Sequence, residues 1–307
     1  MTVTKTLTLG DLTINRMGYG AMHLTGHGVW GPPENPENAV KVLRRAVELG
    51  VNFLDTADSY GPGFNERIIR EALHPYPDDL VIATKGGMLR SGQSDWLRDS
   101  GNPPYIVACG RPEYLRQQVE LSLYNLGLDC IPLYQLHRID PVVPLADQLG
   151  QLAQLQQQGK IRHIGVSGQP EVSVEQLAAC REIVDIVAVE NLYNIADRSS
   201  EPVLTYAEEN GIGFIPWFPL GHGDLLGPGG ALAKVAPSVG ATPSQLALAW
   251  LLHHSPNTIL IPGTTSTHHL EENVRAGDLV LDDAQWDEIA ELCSHEEPWR
   301  PEQVPAY

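Results

Sequence analysis

The sequence predicts an α/β fold, specifically a (β/α)8 TIM barrel with an N-terminal β-hairpin that closes the bottom of the barrel. From Pro36 onward, segments with helical periodicity alternate with short apolar segments that resemble buried strands. Each of eight apolar segments is followed by a helical segment, and the eight start at Gly18, Phe53, Leu80, Leu133, His163, Ile186, Phe214 and Thr258. In this barrel the carboxyl ends of all eight strands lie on one face.

The individual elements follow from local signals. Residues 4–9 and 12–14 alternate polar and apolar side chains around Gly10-Asp11, which predicts the hairpin. The motif GxGxxG at 26–31 runs into Pro32-Pro33 instead of opening a helix, so we interpret it as a loop and not as a Rossmann turn. A polar, Gly- and Pro-rich loop is expected over 86–110, and loops of that length usually carry function. Helices are predicted over 35–49, 64–73, 111–126, 144–158, 174–182, 203–210 and 243–254.

Composition limits the class of protein. The 307 residues are 42% hydrophobic, enough for one barrel-sized core, and we expect a single domain over 1–307. A net charge of -18 repels nucleic acid and anionic membranes, so neither is an expected partner. No apolar run approaches membrane-spanning length. The four cysteines are far apart in the chain and favour a reducing, cytoplasmic location: Cys109, Cys130, Cys180 and Cys293.

The predicted strand ends carry a set of polar residues that could transfer a proton. Asp55 and Tyr60 follow the second strand, Lys85 ends the third and His137 ends the fourth. A cation beside a phenol stabilises the phenolate and would bring the pKa of Tyr60 closer to working pH, with Asp55 anchoring the lysine. His137 could orient a carbonyl oxygen. The alternatives are that Asp55 caps a turn, Tyr60 covers a loop, Lys85 is an ordinary strand-end cation and His137 is a buried structural histidine.

A metal site is not expected. His137 is the one histidine among the strand ends, and the pairs at 253–254 and 268–269 are predicted on helix surfaces, without a third ligand at metal spacing.

The residues at the strand ends resemble those of the aldo-keto reductase superfamily, whose catalytic tetrad has these four types in this order. The resemblance covers nearly the whole chain and includes 54–61, 84–85, 134–137, 165–167, 191–194 and 261–265. Segments 18–22, 30–33, 218–221 and 259–273 are most similar to the bacterial pyridoxal reductase-like branch.

This resemblance implies NADPH as the cofactor, with NADH as an alternative. Trp217 falls where an aromatic ring stacks on the nicotinamide, and Ser167 where a hydroxyl holds its carboxamide. Glu190 stands where glutamine is common, and Gly168 where many relatives have asparagine. The other implied cofactor residues are Gly20, Met22, Pro219 and Leu220, and, toward the adenosine, Gly263, Thr264, Thr265, His269, Glu272 and Asn273.

The implied reaction is reduction of a small aldehyde or ketone to an alcohol, with pyridoxal as the substrate that the narrower resemblance suggests. Trp30, Trp96 and Tyr105 are expected to frame the substrate together with Trp217. A phosphorylated substrate is disfavoured unless Arg90, Arg98 or Arg138 turns inward. A nucleotide-sensing regulatory subunit on the same barrel is the alternative function. The sequence leaves the oligomeric state open.

Overall fold

The computed structural model describes residues 5–90, 92, 106–169, 171–221, 226–227 and 229–293. Seven parallel strands curve around the centre in the spatial order β11-β10-β9-β8-β5-β4-β3. Their bounds are β3 Tyr19–Gly20, β4 Phe53–Asp55, β5 Val81–Gly86, β8 Ile131–Leu136, β9 Ile161–Ser167, β10 Ile186–Leu192 and β11 Gly213–Trp217.

The segment around Thr258 and Leu260 closes the sheet into a barrel. Thr258 pairs in parallel with Phe214 of β11, and Leu260 pairs in parallel with Met17, just before β3. Pro262 follows at once and has no amide hydrogen with which to extend this ladder, which limits the eighth strand to isolated bridges. The predicted (β/α)8 barrel is confirmed.

The predicted hairpin is also confirmed. Strands β1 (Thr6–Leu9) and β2 (Leu12–Asn15) pair antiparallel. Leu9 and Ile14 are fully buried against Phe53 and Ile215, residues of the barrel interior. The hairpin therefore seals the end of the barrel that lies opposite the carboxyl ends of the strands.

Helices surround the sheet, and α1, α5, α8 and α9 each start at a side-chain cap. Thr242 and Ser173 each form a capping box with a glutamine three residues later, at the starts of α8 and α5. The seven predicted helices are present with ends within two residues of the prediction, and α9 follows the eighth strand. The helices run α1 Pro36–Glu48, α2 Phe64–Leu73, α3 Pro112–Leu126, α4 Leu145–Gln157, α5 Val174–Arg181, α6 Glu201–Glu209, α7 Ala231–Val235, α8 Pro243–His254, α9 Thr267–Arg275 and α10 Asp283–Cys293.

The prediction of a structureless loop over 86–110 is wrong in part. Strands β6 (Met88–Arg90) and β7 (Ile106–Ala108) pair antiparallel within it. Each strand has only three residues and the two are far apart in the chain, so neither gives a local periodic signal. This small sheet lies at the carboxyl end of the barrel and contributes Met88 to the cavity described below.

In the part of the chain that the structure describes, the helices are too short or too polar to cross a membrane.

Candidate active site

The turn after β4 positions Asp55 and Tyr60, and the buried amide of Asn65 fixes this turn. Asn65 Nδ2 donates to the carbonyl oxygens of Ala21 at 2.7 Å and Leu24 at 3.1 Å. Its Oδ1 accepts from the Thr56 hydroxyl at 2.6 Å. Buried polar groups that are fully paired hold a single conformation, so the start of α2 fastens the Tyr60 turn to the end of β3.

Glycine is required at position 61, one residue after Tyr60. Gly61 has φ +70°, and a Cβ there would lie 2.7 Å from the carbonyl oxygen of Gly31. Its amide donates to Val29 at 3.1 Å, which brings the 26–31 loop against the turn. The segment 26–31 contains a 3-10 turn at His27–Val29 and does not open an α-helix, which agrees with the prediction that it is not a Rossmann turn, and its Val29 lines the cavity described below.

Lys85 lies fully buried between two carboxylates. Its Nζ is 2.5 Å from Asp55 Oδ2 and 3.5 Å from Glu190 Oε2, and it donates to the Thr56 carbonyl oxygen at 3.1 Å. Burial alone would lower the pKa of Lys85, but the charges of Asp55 and Glu190 outweigh it and raise the pKa. The lysine is therefore a permanent cation beneath the cavity.

The phenol of Tyr60 is held as a neutral acid. Lys85 Nζ lies 5.3 Å from the centre of the Tyr60 ring. Burial raises the pKa of Tyr60 above its ordinary value; Lys85 opposes this rise, while Asp55 and Glu190 add to it. The expectation that Lys85 lowers the pKa of Tyr60 toward working pH is wrong for the net effect, because burial is the largest influence on this pKa and outweighs the ammonium.

His137 faces Tyr60 across the cavity, with ring centroids 6.0 Å apart in an edge-to-face arrangement. Its backbone amide donates to Gly86 at 2.8 Å, and its Nδ1 lies 3.5 Å from Ser59 Oγ. Burial lowers the pKa of His137 well below its ordinary value, and the positive charges of Lys85, Arg138 and Arg90 lower it further. The imidazole is therefore neutral and can donate one hydrogen bond.

A cavity of about 320 Å³ opens above these groups at the carboxyl end of the barrel. Asp55, Tyr60 and His137 line it on one side. The predicted cofactor residues that line it are Gly20, Met22, Ser167, Glu190, Trp217, Pro219, Leu220 and Gly263. A crevice at the strand ends of a barrel is where such enzymes bind their ligands.

The wall formed by β9, β10 and β11 suits a flat amide-bearing ring. The Trp217 indole lines the cavity and its Nε1 donates to the Gly168 carbonyl oxygen at 3.1 Å, which fixes the ring plane. Ser167 and Glu190 add a hydroxyl and a carboxyl beside it. A Cβ on Gly20 would lie 2.5 Å from the Ile261 carbonyl oxygen, so glycine lets β3 approach the eighth strand here. These residues fit the nicotinamide end of a dinucleotide.

Apart from Gly263, the residues predicted for the adenosine end lie outside this cavity, on the turn into α9 and on that helix. Tyr19 OH donates to the Thr264 carbonyl oxygen at 2.6 Å, and Asn38 Nδ2 donates to that of Thr265 at 2.7 Å. Ser266 caps α9 by accepting from the amide of His269. Glu272 and Asn273 follow on the helix, Asn273 buried. A helix start with nearby hydroxyls suits a phosphate group.

The expected substrate residues are placed differently. Trp30 packs against Arg90, whose Cζ lies 5.8 Å from the indole centre, and among the described residues it is Val29, not Trp30, that lines the cavity. Trp96 and Tyr105 lie outside the described residues, as does Arg98. Backbone pairing of β6 with β7 instead brings Met88 and Ile106 to the cavity.

Two arginines do reach the cavity wall. Arg90 Nη1 and Nη2 donate to the carbonyl oxygens of Val29 at 3.0 Å and Gly28 at 2.8 Å. Arg138 Nη2 donates to Gln169 Oε1 at 2.6 Å. Both were named from the sequence as arginines that could turn inward. Arg138 directly follows the strand-end residue His137, and Arg90 is placed by the small sheet. His23 also lines the cavity, a position that no pattern in the sequence indicated.

Within the described residues, no cluster of three or more His, Cys, Asp or Glu side chains could hold a metal ion.

Comparison with known proteins places this site in a family. Residues 16–294 match the Aldo/keto reductase family. Pyridoxine 4-dehydrogenase of Escherichia coli is 45% identical over 282 residues, covering 90% of this chain and 94% of that protein. An uncharacterized oxidoreductase of Schizosaccharomyces pombe is 44% identical over 298 residues, covering 97% and 93%. The solved aldo-keto reductase of Klebsiella pneumoniae in complex with NADPH superposes with a TM-score of 0.79 at 24% identity, covering 97% of this chain and 98% of that one. The chain belongs to the aldo/keto reductase family and is an oxidoreductase of that family.

Proposed function

We propose that this enzyme reduces a small aldehyde or ketone to the alcohol, with NADPH as the preferred reductant and Tyr60 as the general acid. When bound, NADPH supplies the hydride. Ser167, Glu190 and Trp217 would hold its nicotinamide end, and Thr264, Thr265, His269, Glu272 and Asn273 its adenosine end. The match to the Aldo/keto reductase family supports the reaction class.

The observation that carries the proposal is the arrangement of four polar side chains under one cavity. Asp55 anchors Lys85 at 2.5 Å, and Lys85 lies below the ring of Tyr60. Neutral His137 faces Tyr60 and can donate a hydrogen bond to a carbonyl oxygen placed between them. The phenol then releases its proton to the oxygen as negative charge develops there, and Lys85 stabilises the phenolate that remains.

The proposed substrate is pyridoxal or a similarly compact aromatic aldehyde. Similarity to the Escherichia coli pyridoxine 4-dehydrogenase motivates this choice. The cavity supports it through an apolar wall of Val29, Met88 and Ile106 on which a flat ring can rest.

Steady-state oxidation of NADPH with a panel of aldehydes tests the function. Turnover that disappears in Tyr60→Phe supports the proposal. Tight binding of NADPH without turnover of any aldehyde or ketone would instead favour the nucleotide-sensing subunit.

A further inference from the structure

Glu190 lines the cavity together with the proposed acid, Tyr60. It is the residue of β10 that pairs with Ser167 of β9 and Ile215 of β11. Its side chain is 4% exposed. Oε2 accepts from Gln135 Nε2 at 2.9 Å and lies 3.5 Å from Lys85 Nζ. Glu190 therefore shares the ammonium that Asp55 already holds.

One cation between two buried carboxylates leaves a surplus of negative charge when both are ionised. Asp55 is the nearer partner of Lys85, at 2.5 Å against 3.5 Å, so the anion is better stabilised at Asp55. Burial raises the pKa of Glu190 to about 8, and Asp55 adds to the rise, while Lys85 and the Gln135 amide oppose it. Burial raises the pKa of Asp55 as well, and Lys85 opposes that rise. The two carboxyls therefore titrate as a pair, and the shorter contact of Asp55 with Lys85 leaves the shared proton on Glu190.

The charges of Lys85, Asp55 and Glu190 also act on Tyr60. Lys85 favours the phenolate of Tyr60, whereas Asp55 and Glu190 disfavour it. Ionisable groups of several elements meet here: Asp55 from β4, Lys85 from β5, Glu190 from β10, and Asp58 and Tyr60 from the turn after β4. The end of β8 contributes the neutral amide of Gln135 and the neutral imidazole of His137. We propose that Glu190 is a second counter-ion of Lys85, and that gain or loss of its proton sets how strongly Lys85 supports Tyr60 as an acid. This inference rests on the proposed role of Tyr60 and makes Glu190 a positioning residue.

The sign of the effect follows from the charges. Below about pH 8, Glu190 is protonated, and the positive charge of Lys85 acts on Tyr60 opposed only by Asp55. Above about pH 8, Glu190 ionises and adds a second negative charge beside Lys85, so the Tyr60 phenol becomes a weaker acid. We therefore expect kcat/KM for carbonyl reduction to fall as the pH rises through about 8.

Glu190→Gln tests this with little change of shape. The fall in kcat/KM should move to higher pH by about one unit or more, since the added negative charge can no longer form.

A second measurement needs no turnover: the melting temperature of the full chain without added cofactor. In the wild type the unfolded chain loses the Glu190 proton at lower pH than the folded chain, so stability falls as the pH rises toward 8, and this fall should be smaller in Glu190→Gln.

Gln135→Leu provides a second variant that leaves both carboxylates in place. It removes the amide that favours ionised Glu190, so the fall in kcat/KM should again move to higher pH, by a smaller amount. Glu66→Gln is the matched control, because it removes a buried carboxyl that bonds Thr84 and Asn125, whereas the ion pairs of Lys85 are with Asp55 and Glu190. The control should keep the wild-type pH profile.

A folded Glu190→Gln with the wild-type pH profile overturns the inference, and so does a change confined to NADPH affinity. Loss of activity in Tyr60→Phe beside an unchanged Glu190→Gln profile would reject only the role of Glu190. Full activity in Tyr60→Phe would reject the proposed function itself.

Discussion

The rings of Tyr60 and His137 meet edge to face across the cavity, with centroids 6.0 Å apart. Tyr60 comes from the turn after β4 and His137 from the end of β8, and each is a neutral hydrogen-bond donor because burial disfavours its charged form. Two donors converging on one space suit a carbonyl oxygen whose negative charge grows during reduction.

Replacing Tyr60 by phenylalanine removes only the proton donor. We expect kcat to fall by ~10²- to 10⁴-fold, because that is the usual contribution of general acid catalysis, with NADPH affinity nearly unchanged. Stopped-flow or steady-state turnover gives the first quantity and fluorescence titration of NADPH the second. A variant that keeps half of the wild-type kcat would remove Tyr60 from the reaction.

The change in the free energy of unfolding at low pH provides a separate test of the site, through His137. Because the folded protein keeps this imidazole neutral, the unfolded chain binds a proton more readily as the pH falls below about 6.5. Stability should then be lost toward low pH, by at most about 1.4 kcal/mol per pH unit from this one group. His137→Gln should weaken that loss in urea unfolding between about pH 7 and pH 5. An unchanged slope would mean that His137 takes up its proton in the folded state.

The sequence predicted the barrel because alternating helical and strand-like segments are local signals, and strand order then follows from the fold. It also predicted that Asp55, Lys85 and Glu190 would share one face. In the structure the carboxylates of Asp55 and Glu190 both lie within 3.5 Å of the Lys85 ammonium. The net pKa of Tyr60 could not be predicted, because burial depends on packing of the whole barrel. The sequence named Arg90 as one of three arginines that could turn inward, but it could not choose among them, since the partners of Arg90 at Gly28 and Val29 are about sixty residues away in the chain.

The proposed adenosine pocket predicts a cofactor preference that depends on the start of α9. His269→Ala or Thr265→Ala should weaken NADPH more than NADH, because only NADPH carries a 2'-phosphate that would lose contacts. Direct titration of each variant with both dinucleotides measures the ratio of the two Kd values. Asn38→Ala is a suitable comparison, since it removes a bond to the Thr265 backbone without removing a group proposed to contact the phosphate. Equal losses for both dinucleotides would place the phosphate elsewhere.

The choice of substrate depends on what the two cavity arginines can bind. Arg90 already donates to four backbone carbonyl oxygens, at Gly28, Val29, Ser59 and Gly92, at distances of 2.8 to 3.4 Å. Turning it toward a phosphate would break these bonds and loosen the 26–31 loop. Pyridoxal should therefore exceed pyridoxal 5'-phosphate in kcat/KM, by about tenfold or more, equivalent to ~1.4 kcal/mol of transition-state preference.

Arg138 is the second arginine at the cavity wall, and its Nη2 donates to the neutral amide of Gln169. Arg138→Gln should leave kcat/KM for pyridoxal within about threefold of the wild type, since a neutral aldehyde does not need the guanidinium. The measurement compares pyridoxal, its 5'-phosphate, a benzaldehyde and a simple aliphatic aldehyde with NADPH. A selective loss for the phosphorylated substrate in Arg138→Gln would identify Arg138 as a phosphate-binding residue. An aliphatic aldehyde that outperforms both aromatic ones by about tenfold would reject the aromatic substrate while leaving the reductase intact.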